Sequence, residues 1–229
     1  MILIDGDMLV YRVGFACDEE PEKIAIQTMA NYISELISDL SEHYNDHRLY
    51  LTGSSNFRNE VAVSQPYKGS RPARKPVHKD LLREYMLDAW KAELSDNMEA
   101  DDCIAIKSTE LEHKSIICSL DKDFLQIPTK IYDYTKKTMK EVDERSATEW
   151  LYRQALMGDR VDNIAGVHGI GPKKAEKALA DWTTERELYE RCLKLYEDNE
   201  LNADRLYESL QLLYLLRSYD DKYRIPDEV

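Results

Sequence analysis

The segment MILID, residues 1–5, is a short apolar run that ends in an acid. Such a run predicts a buried β-strand whose carboxyl end is polar. RLYLT (48–52) and KSIICS (114–119) predict two more buried strands, and KIYDYT (130–135) with MKEV (139–142) predicts a small edge pair. The chain therefore contains the strands of one sheet, separated by longer segments.

Helical patterns fill those longer segments. The segment 80–94 and the acid-led segment 99–112 each predict a helix. A third helix is predicted across 22–44 by an apolar stripe at Ile24, Ile33, Leu36, Ile37 and Leu40. From about Ser146 onward the pattern is helical throughout. Strands that alternate with helices predict an α/β fold with a mostly parallel sheet flanked by helices.

The composition suits a globular chain that does not enter membranes. The residues are 43% hydrophobic and 33% charged. No apolar run approaches the roughly 20 residues that span a bilayer. Four scattered cysteines form no CxxC pair, so we expect reduced, mostly buried thiols and a cytoplasmic setting. The five histidines have no nucleophile beside them in a catalytic context, and we expect them at the surface.

The formal net charge of −13 argues against a general nucleic-acid coat, because such proteins are usually basic. One strip, PYKGSRPARKPVHK (66–79), is nevertheless basic and contains no acid. Its prolines predict an irregular or mobile insert. Its cations are Lys68, Arg71, Arg74, Lys75 and Lys79.

Acidic residues follow the predicted strands and helix starts. In an open parallel sheet the carboxyl ends of the strands share one edge, where ligands bind. Carboxylates gathered there repel one another, and a hard divalent cation with oxygen ligands relieves that repulsion. The pattern therefore predicts a Mg²⁺ or Mn²⁺ site. The candidate ligands are Asp5, Glu99, Asp101, Asp102, Asp121, Asp123, Asp159 and Asp162, and Asp7 follows the same strand as Asp5.

Each acidic motif also has a structural alternative. EADD (99–102) is typical of a helix N-terminus, where negative charge is favoured. DKD (121–123) is typical of a surface turn, and Asp162 before Asn163 is typical of a helix cap. The joint placement of the acids at successive strand ends favours the metal site over three unrelated structural roles.

GVHGIGPKKAEKAL (166–179) has the glycines and lysines of a phosphate-binding turn at the start of a helix. Gly169 and Gly171 allow a phosphate to approach the backbone, while Lys173 and Lys174 add positive charge. This pattern indicates nucleic-acid binding.

Together these motifs resemble those of the flap endonuclease and 5′–3′ exonuclease family, especially the small exonucleases of short-tailed bacteriophages. The motifs are IDGDMLVYR, YKGSR, EADD, SLDKDF, GDRVDN and GVHGIGPKKA. The resemblance covers nearly the whole chain. It implies a PIN-like catalytic domain at 1–145, with an arch at about 66–95, and a helical DNA-binding region with a helix–hairpin–helix motif at 146–229.

The resemblance also implies a role for each motif. Two Mg²⁺ or Mn²⁺ ions per active site would lie about 4 Å apart. Asp5, Glu99 and Asp101 would serve the first ion. Asp121, Asp123, Asp159 and Asp162 would gather around the second. Lys68 and Arg71 would stabilise the scissile phosphate. A K⁺ ion would bind at the helix–hairpin–helix motif. The residues expected to contact DNA are Tyr11, Arg12, Tyr67, Arg74, Lys75, Gly169, Gly171, Lys173 and Lys174.

One position departs from the family pattern. The family usually places an aspartate after the second strand, where LTGSSNFRNE (51–60) has Gly53. We therefore expect a weaker first metal site. We also expect that Gly53→Asp lowers the magnesium requirement, provided that the side chain fits.

The resemblance implies a monomeric hydrolase that acts in the cytoplasm. If the chain is of phage origin, this is the cytoplasm of the host cell. Its substrate would be duplex DNA with a 5′ end, nick, gap or flap, and an RNA–DNA hybrid is a further substrate class. Two alternatives stay open. One is RNase H-like removal of RNA primers by the same fold, and the other is a catalytically silent, structure-specific DNA-binding scaffold.

Overall fold

The computed structural model describes residues 1–71 and 73–227, which form two compact units. The first unit comprises 1–56 and 72–142, and the second comprises 57–71 and 143–229. This division differs from the expected one at 145, because 57–71 belongs to the second unit. The stretch expected as one arch, at about 66–95, is thereby divided between the units.

The described residues contain short strands and nine α-helices. The strands are β1 Ile2–Asp5, β2 His47–Leu51, β3 Glu93–Leu94, β4 Ile116–Cys118, β5 Lys130–Asp133, β6 Thr138–Glu141, β7 Gly158–Asp159 and β8 Ile164–Ala165. The helices are α1 Gly6–Ala16, α2 Glu22–Leu40, α3 Arg58–Val61, α4 Lys79–Trp90, α5 Ala100–Glu110, α6 Glu144–Met157, α7 Pro172–Ala178, α8 Glu185–Glu197 and α9 Ala203–Leu213.

A mostly parallel sheet is the centre of the first unit. Its strand order is β3-β2-β1-β4-β5-β6, and among the described pairs of this sheet only β5–β6 is antiparallel. Ile2 lies beside His47 on one side and beside Ile116 on the other, so the central strand β1 is paired along both edges. The predicted α/β fold with a small antiparallel edge pair is confirmed.

The sequence pattern located α2 and α4 but placed some of their details wrongly. The buried stripe of α2 runs through Ala25, Met29 and Ile33, whereas Ile24 is 45% exposed. Helix α4 stops at Trp90 rather than near residue 94, because Lys91 adopts a left-handed conformation with φ of 54°. The two residues Glu93–Leu94 then form edge strand β3 beside β2.

The second unit has its own core, built from α6, α8 and α9, and it includes segment 57–71. Arg58 is only 1% exposed, and its guanidinium donates to the carbonyls of Leu212 (2.8 Å) and Tyr214 (2.7 Å). Charge-assisted bonds satisfy this buried cation, which would otherwise be costly. Segment 57–71 is therefore an integral part of the second unit.

The helical prediction from Ser146 onward is wrong at one place, a two-stranded sheet of β7 and β8. Helix α6 ends at Met157, and the next residue, Gly158, has a φ of 71° that other residues rarely adopt. A Cβ atom at Gly158 would lie 2.3 Å from the backbone nitrogen of Gly166. Close backbone approach at two glycines thus permits the tight hairpin.

All four cysteines are buried free thiols, as predicted. Burial raises the pKa of Cys103 to about 12, and it also raises the pKa values of Cys118 and Cys192. One histidine differs from the surface expectation. His78 is buried, and its ring Nε2 lies 2.8 Å from the carbonyl of Glu20. Across the part of the chain that the structure describes, no helix is both long and apolar enough to span a membrane.

Candidate functional site

The carboxyl ends of β1 and β4 bring buried polar groups together in the first unit. Asp5, the last residue of β1, is 1% exposed. One of its oxygens accepts the Met8 amide (3.0 Å), which makes Asp5 the N-cap of α1. The other oxygen accepts the Ser119 hydroxyl (2.7 Å), just beyond β4. Asp5 therefore lies at the carboxyl edge of the sheet, as expected.

The surroundings of Asp5 disfavour the ionised form of its carboxyl group. Burial raises the pKa of Asp5 to about 7. The hydrogen bonds from Ser119 and Met8 lower its pKa, whereas the charges of Asp7 and Asp121 raise it further. Metal-free protein therefore keeps a partly protonated carboxyl at this edge near neutral pH.

A chain of hydrogen bonds continues from Asp5 towards the predicted second acidic motif. The Ser119 hydroxyl that donates to Asp5 also accepts the Asp121 amide (3.0 Å). Asp121 in turn caps a short 3-10 helix by accepting the Asp123 amide (2.9 Å). Sequence reasoning did not assign a role to Ser119. Its place in SLDKDF, directly after a buried strand, was the available signal.

The EADD motif begins α5 and has a structural function of its own. Glu99 is the N-cap, and Asp102 is fully buried and accepts the Glu99 amide (3.0 Å) in a capping box. Asp102 therefore has the helix-start role given above as the structural alternative to its predicted metal role. Asp101 is only partly buried beside these residues.

Asp7 and Arg83 form an ion pair that sequence reasoning missed. Asp7 accepts from the guanidinium of Arg83 (2.7 Å) and from the amide of Thr52 (2.9 Å). Arg83 also donates to the Thr52 carbonyl (2.6 Å), and the Thr52 hydroxyl accepts the Ala100 amide (3.0 Å). These contacts join the helices α1, α4 and α5 through Thr52, the residue that follows β2.

Gly53 lies against the chain after β3, and a side chain there would require that chain to shift. A Cβ atom at Gly53 would lie 2.2 Å from the Ser95 carbonyl oxygen, and the Gly53 amide donates to the Ser95 hydroxyl (3.0 Å). The condition attached to Gly53→Asp, that its side chain fits, is therefore not met unless the backbone at Ser95 shifts. The obstacle is this backbone contact and not a left-handed φ angle.

In the second unit, Asp162 organises the YKGSR motif. Its carboxylate accepts from the Tyr67 hydroxyl (2.9 Å) and from the Arg71 guanidinium (2.8 Å), and the Lys68 ammonium lies 3.9 Å away. The Lys68 amide also donates to the Asp162 carbonyl (2.9 Å). The two predicted phosphate-contacting cations are thus held on one buried carboxylate.

Two further predicted residues of this unit are buried. Tyr67 is 8% exposed and packs in the core, which differs from the predicted DNA contact and gives it a positioning role on Asp162. Asp159 is also buried, and one of its oxygens accepts the amides of Val161 (2.7 Å) and Asp162 (3.2 Å). This turn fixes the backbone that carries Asp162.

The predicted phosphate-binding turn lies on the surface before α7. Gly169 has a φ of 74°, and the Lys174 ammonium donates to its carbonyl (2.8 Å). Gly171 is the N-cap of α7, and a Cβ atom added there would point into open space. Lys173 is exposed. These features leave space and charge for an anionic ligand.

The remaining predicted DNA contacts belong to the first unit. Tyr11 is half-buried on α1, and Arg12 donates to the Tyr32 hydroxyl (2.9 Å). Arg74 and Lys75 are exposed, but Arg74 forms an ion pair with Asp18 (2.7 Å). The ion pair between Arg74 and Asp18 thus holds this part of the basic strip against the first unit.

Within residues 1–71 and 73–227, no group of three or more His, Cys, Asp and Glu side chains is arranged so that it could hold a metal ion. The ligand assignment therefore stays a prediction. The donors at the β1–β4 edge are carboxylate and hydroxyl oxygens, which is the chemistry that Mg²⁺ and Mn²⁺ prefer.

A mostly parallel sheet with buried carboxylates at its carboxyl edge defines a PIN-like class of α/β proteins. Residues 1–151 match the family described as 5'-3' exonuclease, N-terminal resolvase-like domain. This chain belongs to that family.

Several curated proteins are similar over most of this chain. DNA polymerase I of Bacillus caldotenax is 29% identical over 92% of this chain, which spans only 26% of that polymerase. Flap endonuclease Xni of Shewanella halifaxensis is 27% identical over 93% of this chain and 89% of its own length. A 5'-3' exonuclease of Buchnera aphidicola is 29% identical, with 85% of this chain and 75% of that protein covered.

Solved structures share the fold. The T5 protein co-crystallised with metal ions has a TM-score of 0.67 and 20% identity, and it covers 93% of this chain and 88% of its own. Zinc is the divalent ion named in another structure of the T5 5'-exonuclease. The catalytic core of Rad2 in complex with a DNA substrate has a TM-score of 0.52 and 15% identity, with 91% of this chain and 77% of that chain covered.

Proposed function

We propose that this chain is a divalent-metal-dependent 5′–3′ exonuclease and flap endonuclease that hydrolyses phosphodiester bonds of DNA. Membership of the 5'-3' exonuclease family supports this activity. The relatives named flap endonuclease and 5'-3' exonuclease support it further. Similar folds have been solved in complex with DNA, which supports DNA as the substrate class.

The observation that carries the proposal is the environment of Asp5. A buried carboxyl with a pKa raised to about 7, beside Asp7 and Asp121, lowers the stability of metal-free protein near neutral pH. A bound divalent cation would relieve that cost, and it would supply an activated water and charge stabilisation for hydrolysis. We assign Asp5, Glu99 and Asp101 to a first ion, and Asp121 and Asp123 to a second. Asp102 instead accepts the Glu99 amide in the capping box of α5.

Two ions per active site, Mg²⁺ or Mn²⁺, are part of the proposal, as the family resemblance implies. The same resemblance is the ground for proposing Asp159 and Asp162 as ligands. The contacts of Asp162 with Tyr67, Lys68 and Arg71 give it a second role, because they hold both cations in defined positions. Lys68 and Arg71 would neutralise charge on the phosphate oxygens as the bond breaks.

The proposed substrate is duplex DNA with a 5′ end, nick, gap or flap. Lys173 and Lys174 would contact backbone phosphates, and Tyr11 would stack on a base near the cleaved bond. Phosphate contacts carry no sequence information, so the enzyme would select substrates by structure. We propose a monomer, and a K⁺ ion at the turn before α7.

Single-turnover cleavage of 5′-labelled flap, nicked and RNA-primed duplexes, with Mg²⁺ and with excess chelator, tests the proposal. We expect Mg²⁺-dependent products with 5′-phosphate and 3′-hydroxyl ends, and no cleavage by Asp5→Asn. Full activity in chelator would refute metal dependence. Cleavage of the RNA-primed substrate alone would favour primer removal, and tight binding without cleavage would favour the silent scaffold.

A further inference from the structure

Thr52, the residue after β2, bonds a different helix of the first unit through each of its three polar groups. Its amide donates to Asp7 of α1 (2.9 Å), and its carbonyl accepts from the Arg83 guanidinium of α4 (2.6 Å). Its hydroxyl accepts the amide of Ala100, the first residue of α5 (3.0 Å). One residue therefore holds three helices beside the end of β2.

The bond to Ala100 satisfies a backbone group that α5 cannot satisfy by itself. The first amides of an α-helix have no partner within the helix. The capping box at the start of α5 uses the side chains of Glu99 and Asp102, which belong to the same turn. The Ala100 amide instead finds its acceptor in Thr52, 48 residues earlier in the chain. The Thr52 hydroxyl therefore fixes the start of α5 relative to β2.

Arg83 and Asp7 hold the Thr52 backbone in place. The Arg83 guanidinium bonds Asp7 (2.7 Å) and the Thr52 carbonyl (2.6 Å) together, while the other Asp7 oxygen accepts the Thr52 amide (2.9 Å). Only 20% of the Arg83 side chain is exposed, so solvent screens this ion pair less than a surface pair. The three residues thus form a closed set of hydrogen bonds.

The residues on either side of the amide that Thr52 accepts are Glu99 and Asp101, two of the proposed ligands of the first ion. Groups that orient the ligands of a metal ion influence its affinity strongly. We propose that Thr52 and Arg83 are positioning residues, which set Glu99 and Asp101 at the correct distance from Asp5 to share one divalent cation. This inference rests on the proposed function and adds the residues that hold the ligands in place.

The test measures Mn²⁺ binding to metal-free protein by isothermal titration calorimetry, at the site that Asp5→Asn removes. Thr52→Val keeps the shape of the side chain but lacks the hydroxyl. We expect it to weaken Mn²⁺ binding about tenfold, the lower end of the effect of losing a group that orients a ligand. Thr52→Ser keeps the hydroxyl and should retain the affinity of the parent protein. The Mg²⁺ concentration for half-maximal cleavage should rise by a similar factor in Thr52→Val.

A matched control separates positioning from a general loss of stability. Thr129 is buried in the same unit just before β5, and its hydroxyl donates to the carbonyls of His113 (3.1 Å) and Ser115 (2.9 Å). These residues lie at the amino ends of β4 and β5, at the edge opposite Asp5. Thr129→Val should lower the free energy of unfolding in urea but leave Mn²⁺ binding unchanged.

Arg83→Lys is a second variant, which keeps the test decisive if Thr52→Val does not fold. It retains the positive charge, so a change in Mn²⁺ affinity cannot arise from the loss of a charge. An ammonium group lacks the planar pair of donors that bonds Asp7 and Thr52 together, and we therefore expect weaker Mn²⁺ binding. Arg48→Lys, at the exposed ion pair with Glu93 (3.0 Å), is its control and should bind Mn²⁺ as the parent does.

The outcomes distinguish the inference from the function on which it rests. If the parent protein binds Mn²⁺ and cleaves flap substrates while Thr52→Val and Arg83→Lys bind Mn²⁺ as tightly as the parent does, the positioning role alone is refuted. Equal weakening in Thr52→Val and Thr129→Val would also refute it, because the effect would then follow general stability. If the parent protein binds no divalent cation and cleaves none of the substrates, the proposed function fails, and the inference fails with it.

Discussion

Asp5 shows how one carboxyl can serve local structure and a proposed ligand set together. It caps α1 and accepts the Ser119 hydroxyl while it is almost fully buried. Both hydrogen bonds favour the ionised form, yet burial and the neighbouring acids outweigh them. The same side chain therefore helps to start a helix, and its ionised form destabilises the folded protein.

The raised pKa of Asp5 predicts that Asp5→Asn changes the stability of metal-free protein in a pH-dependent way. Because the pKa of Asp5 is raised from 3.8 to about 7 on folding, its contribution to stability is complete below pH 4 and is lost as pH rises through 7. A tenfold change in the protonation equilibrium corresponds to about 1.4 kcal/mol. Asparagine should therefore raise the free energy of unfolding by a few kcal/mol at pH 8. Urea denaturation in chelator at pH 5 and pH 8 measures this. A gain that is no larger at pH 8 than at pH 5 would contradict the assignment.

Gly53 gives the second prediction at this scale. Gly53→Ala should lower the free energy of unfolding by about 1–3 kcal/mol, because its Cβ must displace the Ser95 carbonyl from a distance of 2.2 Å. Gly171→Ser is the matched control, since space is open there and serine is a good N-cap. Urea denaturation compares the two variants. Equal free energies of unfolding for Gly53→Ala and the parent would show that the segment after β3 can shift without a measurable cost.

Lys68→Ala should separate the cleavage step from binding. Lys68 is held beside Asp162, and its charge is proposed to act on the reacting phosphate. We expect the single-turnover rate to fall about 10²- to 10³-fold, which is typical when one preorganised donor is lost. Duplex affinity measured by fluorescence anisotropy should change little. A parallel loss of affinity would instead assign Lys68 to general DNA binding.

At the scale of elements, the turn before α7 differs from the sheet edge because its polar groups face solvent. Lys173→Ala should weaken duplex binding and reduce the slope of log affinity against log salt by about one. Lys173 is the better choice than Lys174, whose ammonium also bonds the Gly169 carbonyl. Lys136→Ala, an exposed lysine paired with Asp133, is the control and should leave the slope unchanged.

Local sequence patterns identified the elements that have clear local signals. Apolar runs with polar ends located β1, β2 and β4, and the acidic start of EADD located α5. Helix α1 was not predicted, because the acid that caps it, Asp5, fits a metal ligand equally well. Strands of two residues, such as β7, carry too short a pattern to be recognised.

Contacts that are distant in sequence explain what was missed in the candidate site. Thr52 bonds Asp7 across 45 residues, and Arg83 reaches the same carboxylate across 76. No local periodicity signals such a partner. The positions of Asp5 and Asp121 at the sheet edge could be predicted because the carboxyl ends of parallel strands share one edge, whereas their hydrogen-bond partners depend on packing between elements.

At the scale of the whole molecule, segment 57–71 leaves the first unit and joins the core of the second. A fragment ending at residue 145 would therefore lose the partners of Arg58 and of Ser64, which are Leu212, Tyr214 and Glu208. We expect limited trypsin digestion to cut that fragment rapidly at Arg58 and to spare it in the full chain. Mass spectrometry identifies the cut. Equal protection of Arg58 in both would contradict its assignment to the second unit.

The four buried thiols have a practical consequence for optical experiments. Maleimide dyes react with thiolates, and burial with raised pKa values keeps Cys103, Cys118 and Cys192 almost entirely in the unreactive thiol form. A cysteine introduced at an exposed valine, such as Val77 (71% exposed) or Val161 (62% exposed), would then react selectively. Fluorophores for single-molecule energy transfer can thus be attached to either unit without first replacing the native cysteines.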